Sequence, residues 1–377
     1  MTSPADVAIV GGGVIGCSVA YHAARRGARV VLFEAEGVGT GASGAAAGML
    51  AAQGEAHEPG PLLDLMLKSR ALHGPLSKAL HDETGLDVEH VHAGSLHVAV
   101  GEDSREKLAA KYSLQREQNL PAEWLSADEA REMEPALPVD LTAGLYLPED
   151  AQVNSPRLVR ALAFAARSRG ARIEEVTRVT GFLTEGSRVT GVETPLGTFP
   201  AGAVVLAGGV FGSSLSRELG VRLPIHPVKG EILTARPDPA PIRANVWSSR
   251  CYLVPKRDGR VIVGATEEPD VYDRRPTLGG VADLSGAAAE TIPALARAPF
   301  ESAWGGLRPG TPDGYPIIGP TEDWEGLLLS TGHYRNGVLL APITGDAIAA
   351  LALKEESPVN VSPFSPGRFA DHARGSG

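Results

Sequence analysis

Residues 7–10 are an unbroken apolar run, Val-Ala-Ile-Val, followed by Gly11-x-Gly13-x-x-Gly16 and a helical alternation of apolar and polar positions that stops at Gly27. A second apolar run closes on Glu34. Short continuous apolar runs read as buried strands, and the 3.6-residue period between them as an amphipathic helix. Residues 6–34 therefore predict strand, turn, helix, strand. Leu62, Leu65, Met66, Leu76 and Leu80 predict a helix over 61–84. Residues 87–100 alternate and predict a strand pair turned at Ala93-Gly94, while 104–118 and 126–134 predict exposed charged helices. Ser155, followed by Pro156, opens a helix that ends near Gly170. A strand over 171–182, a hairpin over 187–201 and a buried strand running into Gly208-Gly209 follow. Several strands lie in 226–265, with Asp258-Gly259 as a hairpin turn. Residues 327–351 predict a strand, a glycine-rich turn and a helix after Pro342.

The first unit has the order that holds the ADP half of a dinucleotide. Gly11 permits the tight turn, Gly13 lets the backbone approach a pyrophosphate, and Gly16 lets the helix pack closely on the strand. The helix N-terminus offers free N–H groups to the phosphates, with Val14 and Ile15 in its first turn. Glu34 can accept hydrogen bonds from both ribose hydroxyls and would repel a 2′-phosphate, which argues against NADP. The Gly- and Ala-rich stretch after Glu34 reads either as a linker or as backbone lying tightly against a flat ligand.

Composition narrows the class. The 377 residues suffice for two domains or one large one. At 43% hydrophobic and 21% charged the chain is ordinary for a globular protein, and the net charge of −10 argues against a nucleic-acid partner. No apolar stretch of about 18 residues is present, so no membrane span is expected. The N-terminal apolar run is too short for a signal peptide and already serves as the nucleotide strand. Cys17 and Cys251 are the only cysteines, which predicts no disulfide framework and a reducing, cytoplasmic location. His90, His92 and His97 lie near one another, but no carboxylate or cysteine completes a metal site, so they are expected as strand histidines facing solvent and no metal is expected. The last ten residues predict a frayed tail.

The segments 11–16, Glu34, 41–50, 204–209, 251–266, 304–319 and 332–342 occur in this order across nearly the whole chain. Together they resemble the D-amino acid oxidase superfamily of flavoproteins, and within it the glycine oxidase branch associated with thiamine biosynthesis. The resemblance implies an α/β fold: a Rossmann-like, glutathione-reductase-type FAD-binding domain with a second, antiparallel-sheet substrate domain. Nucleotide segments at the start, middle and end place the FAD-binding domain at 1–86, 149–225 and 301–377, and the substrate domain at 87–148 and 226–300. FAD is expected to be non-covalent, since no cysteine matches the attachment site of the sarcosine oxidases. The implied reaction is oxidative deamination of glycine, with sarcosine and small D-amino acids as lesser substrates, O2 as acceptor and hydrogen peroxide as product. A homotetramer is implied by resemblance alone.

Oxidising an amino acid needs an acceptor beside Cα–H and a handle on the substrate carboxylate. Arginine grips carboxylates with two parallel N–H bonds and stays charged when buried. Arg308, set rigidly in Gly306-Leu-Arg-Pro-Gly310, is the first candidate, and the resemblance places the family's carboxylate-binding arginine there. Tyr252 alone would read as core packing; the resemblance points its hydroxyl at the carboxylate. Arg335 matches a second arginine near the substrate, or else contacts the flavin or a neighbouring loop. Arg250 and Glu267 depart from the pattern, having histidine and apolar counterparts in some relatives. Glu267 either binds the amine or faces solvent. Ser43, Ala46, Ala47, Gly48 and Met49 are expected along the isoalloxazine, with Met49 also at the substrate. Gly208 lies where the chain returns beside the cofactor. His333, Tyr334, Arg335, Asn336, Gly337, Val338 and Leu339 are expected at the pyrimidine edge, and Val176 at the adenine by resemblance only. No general base stands out. Three other readings remain: a D-amino acid or secondary-amine dehydrogenase that passes electrons to a quinone or a partner protein, an NAD-dependent dehydrogenase, and a flavin-binding sensor.

Overall fold

The computed structural model describes residues 4–369. The predicted tail lies, from residue 370 on, outside the described residues. The strand Ala5–Val10 is the centre of an eight-stranded sheet, paired in parallel with Val30–Phe33 on one side and Gly197–Leu206 on the other. Arg172–Glu174 extends the sheet beyond Val30–Phe33, and Leu327–Thr331 beyond Gly197–Leu206. Both faces are covered, which explains the continuous apolar runs. Val7, Ile9 and Leu32 pack with Cys17, Tyr21, Leu158 and Leu340 on the helical face. Ala8, Val31 and Phe33 pack with Val189, Val192 and Leu206 on the other. The helical layer comprises Val14–Arg25, Ser155–Ser168 and Gly337–Ala352. The first and last of these are joined where the Ser18 hydroxyl donates to the Ala341 carbonyl at 2.7 Å.

A second, nine-stranded sheet is built around the long pair His226–Ala235 and Phe300–Gly310. Tyr252–Pro255 and Val261–Gly264 form the expected hairpin within it. This sheet is mixed rather than purely antiparallel, because Asn245–Trp247 runs parallel to Ser95–Val100. A two-stranded pair, Met49–Leu50 with Ala151–Gln152, lies between the sheets in the chain order.

Several expectations need correction. Residues 87–94 are not a strand: only Val91 makes a bridge, to Gln152, and Ser95–Val100 pairs with Leu141–Leu147 instead of turning back on itself. His97 is therefore buried and stacked on Trp247, while His90 is half-buried and His92 exposed. Among the described residues no cluster of His, Cys, Asp or Glu is arranged to hold a metal. The strand expected over 171–182 is interrupted after Glu174, with Val176 at φ 55°. The last helix starts at Gly337, so Pro342 lies inside it. Phe300–Gly310 hydrogen-bonds along its length in the second sheet, on the other side of the boundary expected at 301. No helix among the described residues is long and apolar enough to cross a membrane.

Candidate active site

A cleft of about 690 Å3 runs from the first glycine turn to the long strands of the second sheet. At one end lie Gly11, Gly13, Val14, Ile15, Glu34 and Ser43. Gly11 has φ 110°, and a β-carbon on it would meet the Ala207 carbonyl oxygen at 2.5 Å. Gly16 does not line the cleft; a β-carbon there would overlap the Gly11 carbonyl, so its role is helix-on-strand packing. The helix Val14–Arg25 begins without a side-chain cap and with no acid in its first turn. Gly13, Val14 and Ile15 at its start line the cleft, and the Val14 N–H donates to Ser43 Oγ at 2.9 Å. Glu34 accepts from the Gly12 N–H at 2.6 Å and the Glu36 N–H at 2.9 Å, and its carboxylate borders the cleft. An uncapped helix N-terminus, a side-chain-free turn and a carboxylate beyond it form a cradle that fits a nucleotide diphosphate and its ribose.

Val176 does not reach this cradle. It is 82% exposed and its N–H is spent on the Glu36 carbonyl at 2.8 Å. The cleft wall at that level is formed by Thr177, Arg178, Val179 and Thr180.

The middle of the cleft is lined by Ala46, Ala47, Gly48 and Met49 from one side, and by Gly208, His333, Asn336, Gly337 and Val338 from the other. The helix Gly337–Ala352 likewise starts with no side-chain cap and no acid in its first turn, so partial positive charge faces the cleft. Leu339 is turned away: its carbonyl accepts from Ser69 Oγ at 2.7 Å and lies 3.0 Å from His73 Nε2. Burial pulls the His333 imidazole down to about 3, so it is neutral.

Lys256, for which the sequence carried no expectation, holds the Ala46–Gly48 segment through the Ala47 carbonyl. Its ammonium donates to the Ala47 carbonyl at 2.7 Å, Gln152 Oε1 at 2.8 Å and the Val153 carbonyl at 3.1 Å. Burial pulls it down to about 7, while three oxygen acceptors favour the charged form. A lysine ending the apolar strand Tyr252–Pro255 was the available signal.

The far end carries the charged groups. Arg308 and Tyr252 both line the cleft. The Arg308 guanidinium crosses over Gly230, whose missing side chain leaves it room, donates to the Thr266 carbonyl at 3.2 Å and lies against the Tyr252 hydroxyl. Among the described residues no carboxylate is within salt-bridge distance of it. Burial pushes the Tyr252 phenol up, against the neighbouring Arg308 and Arg335 charges, so it stays protonated and able to donate. Arg335 also lines the cleft but is already engaged. Its Nε and Nη2 hold Glu55 at 2.8–3.1 Å, and its Nη1 holds Glu267 at 2.6 Å. Its fork is thus occupied by protein carboxylates at the end of the cleft where a second arginine was expected. Glu267 also accepts the Tyr334 hydroxyl at 3.0 Å, so it is committed to protein donors. Glu55 was not anticipated; it is an acid ending the short helix Ala52–Glu55 inside an otherwise apolar stretch. Arg250 is displaced from the site altogether. Its side chain is 48% exposed, pairs with Glu290 at 2.6 Å and does not border the cleft.

The family model for FAD dependent oxidoreductases matches residues 6–351. The chain is 41% identical to the glycine oxidase of Geobacillus kaustophilus, over 97% of both chains. It superposes on the crystal structure of glycine oxidase from that organism with a TM-score of 0.94, covering 97% of this chain and 99% of that one. It is also 37% identical to the bifunctional protein ThiO/ThiG of Synechocystis, over 98% of this chain and 55% of that protein.

Proposed function

The chain belongs to the family of FAD dependent oxidoreductases, and on that premise we propose that it oxidises glycine, and more slowly sarcosine and small D-amino acids, to the imine. The observation that carries this reading is Arg308: a guanidinium without a carboxylate partner among the described residues, beside the buried Tyr252 phenol, at the end of a dinucleotide cleft. Bound FAD would supply the two-electron acceptor for the substrate Cα–H.

The chain's own residues do the rest. The first helix N-terminus and Glu34 hold the dinucleotide's diphosphate and ribose. Ala46, Ala47 and Gly48 leave space for a flat ring, and Lys256 fixes their carbonyl side. The N-terminus of Gly337–Ala352 favours negative charge at the ring edge facing it. Arg308 and the Tyr252 hydroxyl take the substrate carboxylate and so aim Cα at the ring. His333 is neutral and buried, and the Tyr252 phenol stays protonated, so neither takes the substrate's ammonium proton. The amine gives up that proton to solvent, and turnover rises with pH until the amine is free.

The imine hydrolyses to the 2-oxo acid and ammonia, or leaves intact for thiazole formation in thiamine synthesis. O2 as final acceptor and hydrogen peroxide as product complete the proposal, together with a homotetrameric assembly and a cytoplasmic location. The two free, buried cysteines suit that location. Equal amounts of peroxide and glyoxylate formed from glycine in air would support the assignment. Glyoxylate without peroxide would move it to a dehydrogenase with another acceptor.

A further inference from the structure

Two arginines border the same end of the cleft, and they differ in how they are occupied. Arg335 is gripped from two sides, with Nε and Nη2 on Glu55 and Nη1 on Glu267. Every nitrogen of its fork is spent on a carboxylate. Arg308 gives one bond to a backbone carbonyl, lies against the Tyr252 hydroxyl and, among the described residues, has no carboxylate partner. Lys111, which donates to the Gly54 carbonyl, is a third cation beside Glu55 and Arg335. Arg308, Arg335 and Lys111 against Glu55 and Glu267 leave one positive charge at this end, since Tyr252 and Tyr334 stay protonated and His333 neutral.

One substrate carboxylate on Arg308 is therefore fully answered. A second carboxylate would have to displace Glu55 or Glu267 from Arg335, or stand unpaired beside them in a partly buried site. Either arrangement is strongly unfavourable. We propose that Glu55 and Glu267 set the substrate class: by occupying Arg335 they confine the site to amino acids with a single carboxylate and exclude those carrying a second acid. The inference rests on the reading of Arg308 as the carboxylate-binding group.

The test is equilibrium binding to the FAD-loaded, oxidised protein, with acetate and malonate as probes and the visible flavin band as readout. Neither ligand reacts, so turnover does not enter. The wild type is expected to bind malonate at least tenfold more weakly than acetate. Glu55→Gln frees half of the Arg335 fork and should shift the malonate-to-acetate ratio at least tenfold toward malonate. Glu55→Asp, which keeps the charge, should retain the wild-type preference. Glu267→Gln, at the exposed end, should shift the ratio in the same direction by a smaller factor, and it decides the question if Glu55→Gln does not retain FAD. Equal binding of the two ligands by the wild type would overturn the inference. So would a ratio unmoved in the glutamine variants while acetate binding still depends on Arg308. Acetate binding unmoved by Arg308→Ala would overturn the Arg308 reading together with it.

Discussion

Gly230 and Arg308 share one volume: a β-carbon on Gly230 would overlap the Cζ and both terminal nitrogens of the Arg308 guanidinium. The two lie on neighbouring antiparallel strands, with Val228 directly opposite Arg308 and Gly230 one pleat further on. The arginine can lie across the sheet toward the cleft only because that position is bare. Gly230→Ala should push the guanidinium aside at a cost of ~1–3 kcal/mol, the usual penalty for overpacking. The expected result is a KM for glycine raised ~10-fold or more, with the flavin still bound. Steady-state kinetics and the visible spectrum of one preparation check both halves.

Removing the guanidinium itself should cost more. Arg308→Ala deletes a charge-assisted contact to the carboxylate of ~3 kcal/mol, about 100-fold in kcat/KM, mostly through KM. FAD content should stay at the wild-type level. Loss of the flavin along with the activity would mean that the residue supports the fold, not the substrate.

Glu34 lies at the opposite end of the cleft, bonded to the Gly12 and Glu36 N–H groups. Glu34→Ala removes both bonds and the acceptor proposed for the ribose. FAD should dissociate ~10–100-fold more readily, corresponding to ~1.5–3 kcal/mol for hydrogen bonds to a charged group. Fluorescence of released flavin during dilution measures this, and an unchanged affinity would rule out the ribose assignment.

Much of the nucleotide end was legible because its signals are local. A glycine turn between an apolar strand and a helix needs neighbours within about thirty residues, and the acid at position 34 completes the unit. The charged end depended on contacts between distant segments. Glu55 meets Arg335 across 280 positions, and Lys256 reaches Ala47 across 209. Nothing in the local pattern around either residue names its partner. Arg250, two positions before Tyr252, was placed at the site through its neighbour, but it points to Glu290 on the exposed side. Val176 was carried over by resemblance, but it is 82% exposed and does not border the cleft. The predicted strand pair at 87–100 failed for a related reason. Alternation identifies Ser95–Val100 as a strand but says nothing about its partners, which are 141–147 and 245–247.

Acid should destabilise the fold through buried histidines. Burial pulls His73 down to about 4 and His333 to about 3, and holds His97 well below the usual 6.5. These groups stay neutral in the native state while the unfolded chain takes up protons below about 6.5. Stability is thus complete above that pH and is lost as pH falls toward 4, at ~1.4 kcal/mol per pH unit for each histidine. Asp150 acts in the opposite sense. Burial pushes its carboxyl up to about 6, against the Arg70 charge, so its contribution is present below the ordinary carboxylate range and lost as pH rises through 6. Thermal denaturation at pH 7.5 and pH 5 should show a clear drop in Tm, reduced in His73→Gln. Equal Tm values at the two pH values would contradict the neutral state of these histidines.

A flavin in this cleft should be reduced by an amino acid held on Arg308. The most direct measurement is an anaerobic titration of the as-isolated protein with glycine, sarcosine, D-alanine and D-proline, following the visible flavin band. The expected result is a yellow protein that glycine bleaches, with colour returning and peroxide forming when air is admitted. Bleaching by D-alanine or D-proline but not by glycine would contradict the substrate assignment. A yellow protein that none of them reduces would contradict the reaction itself.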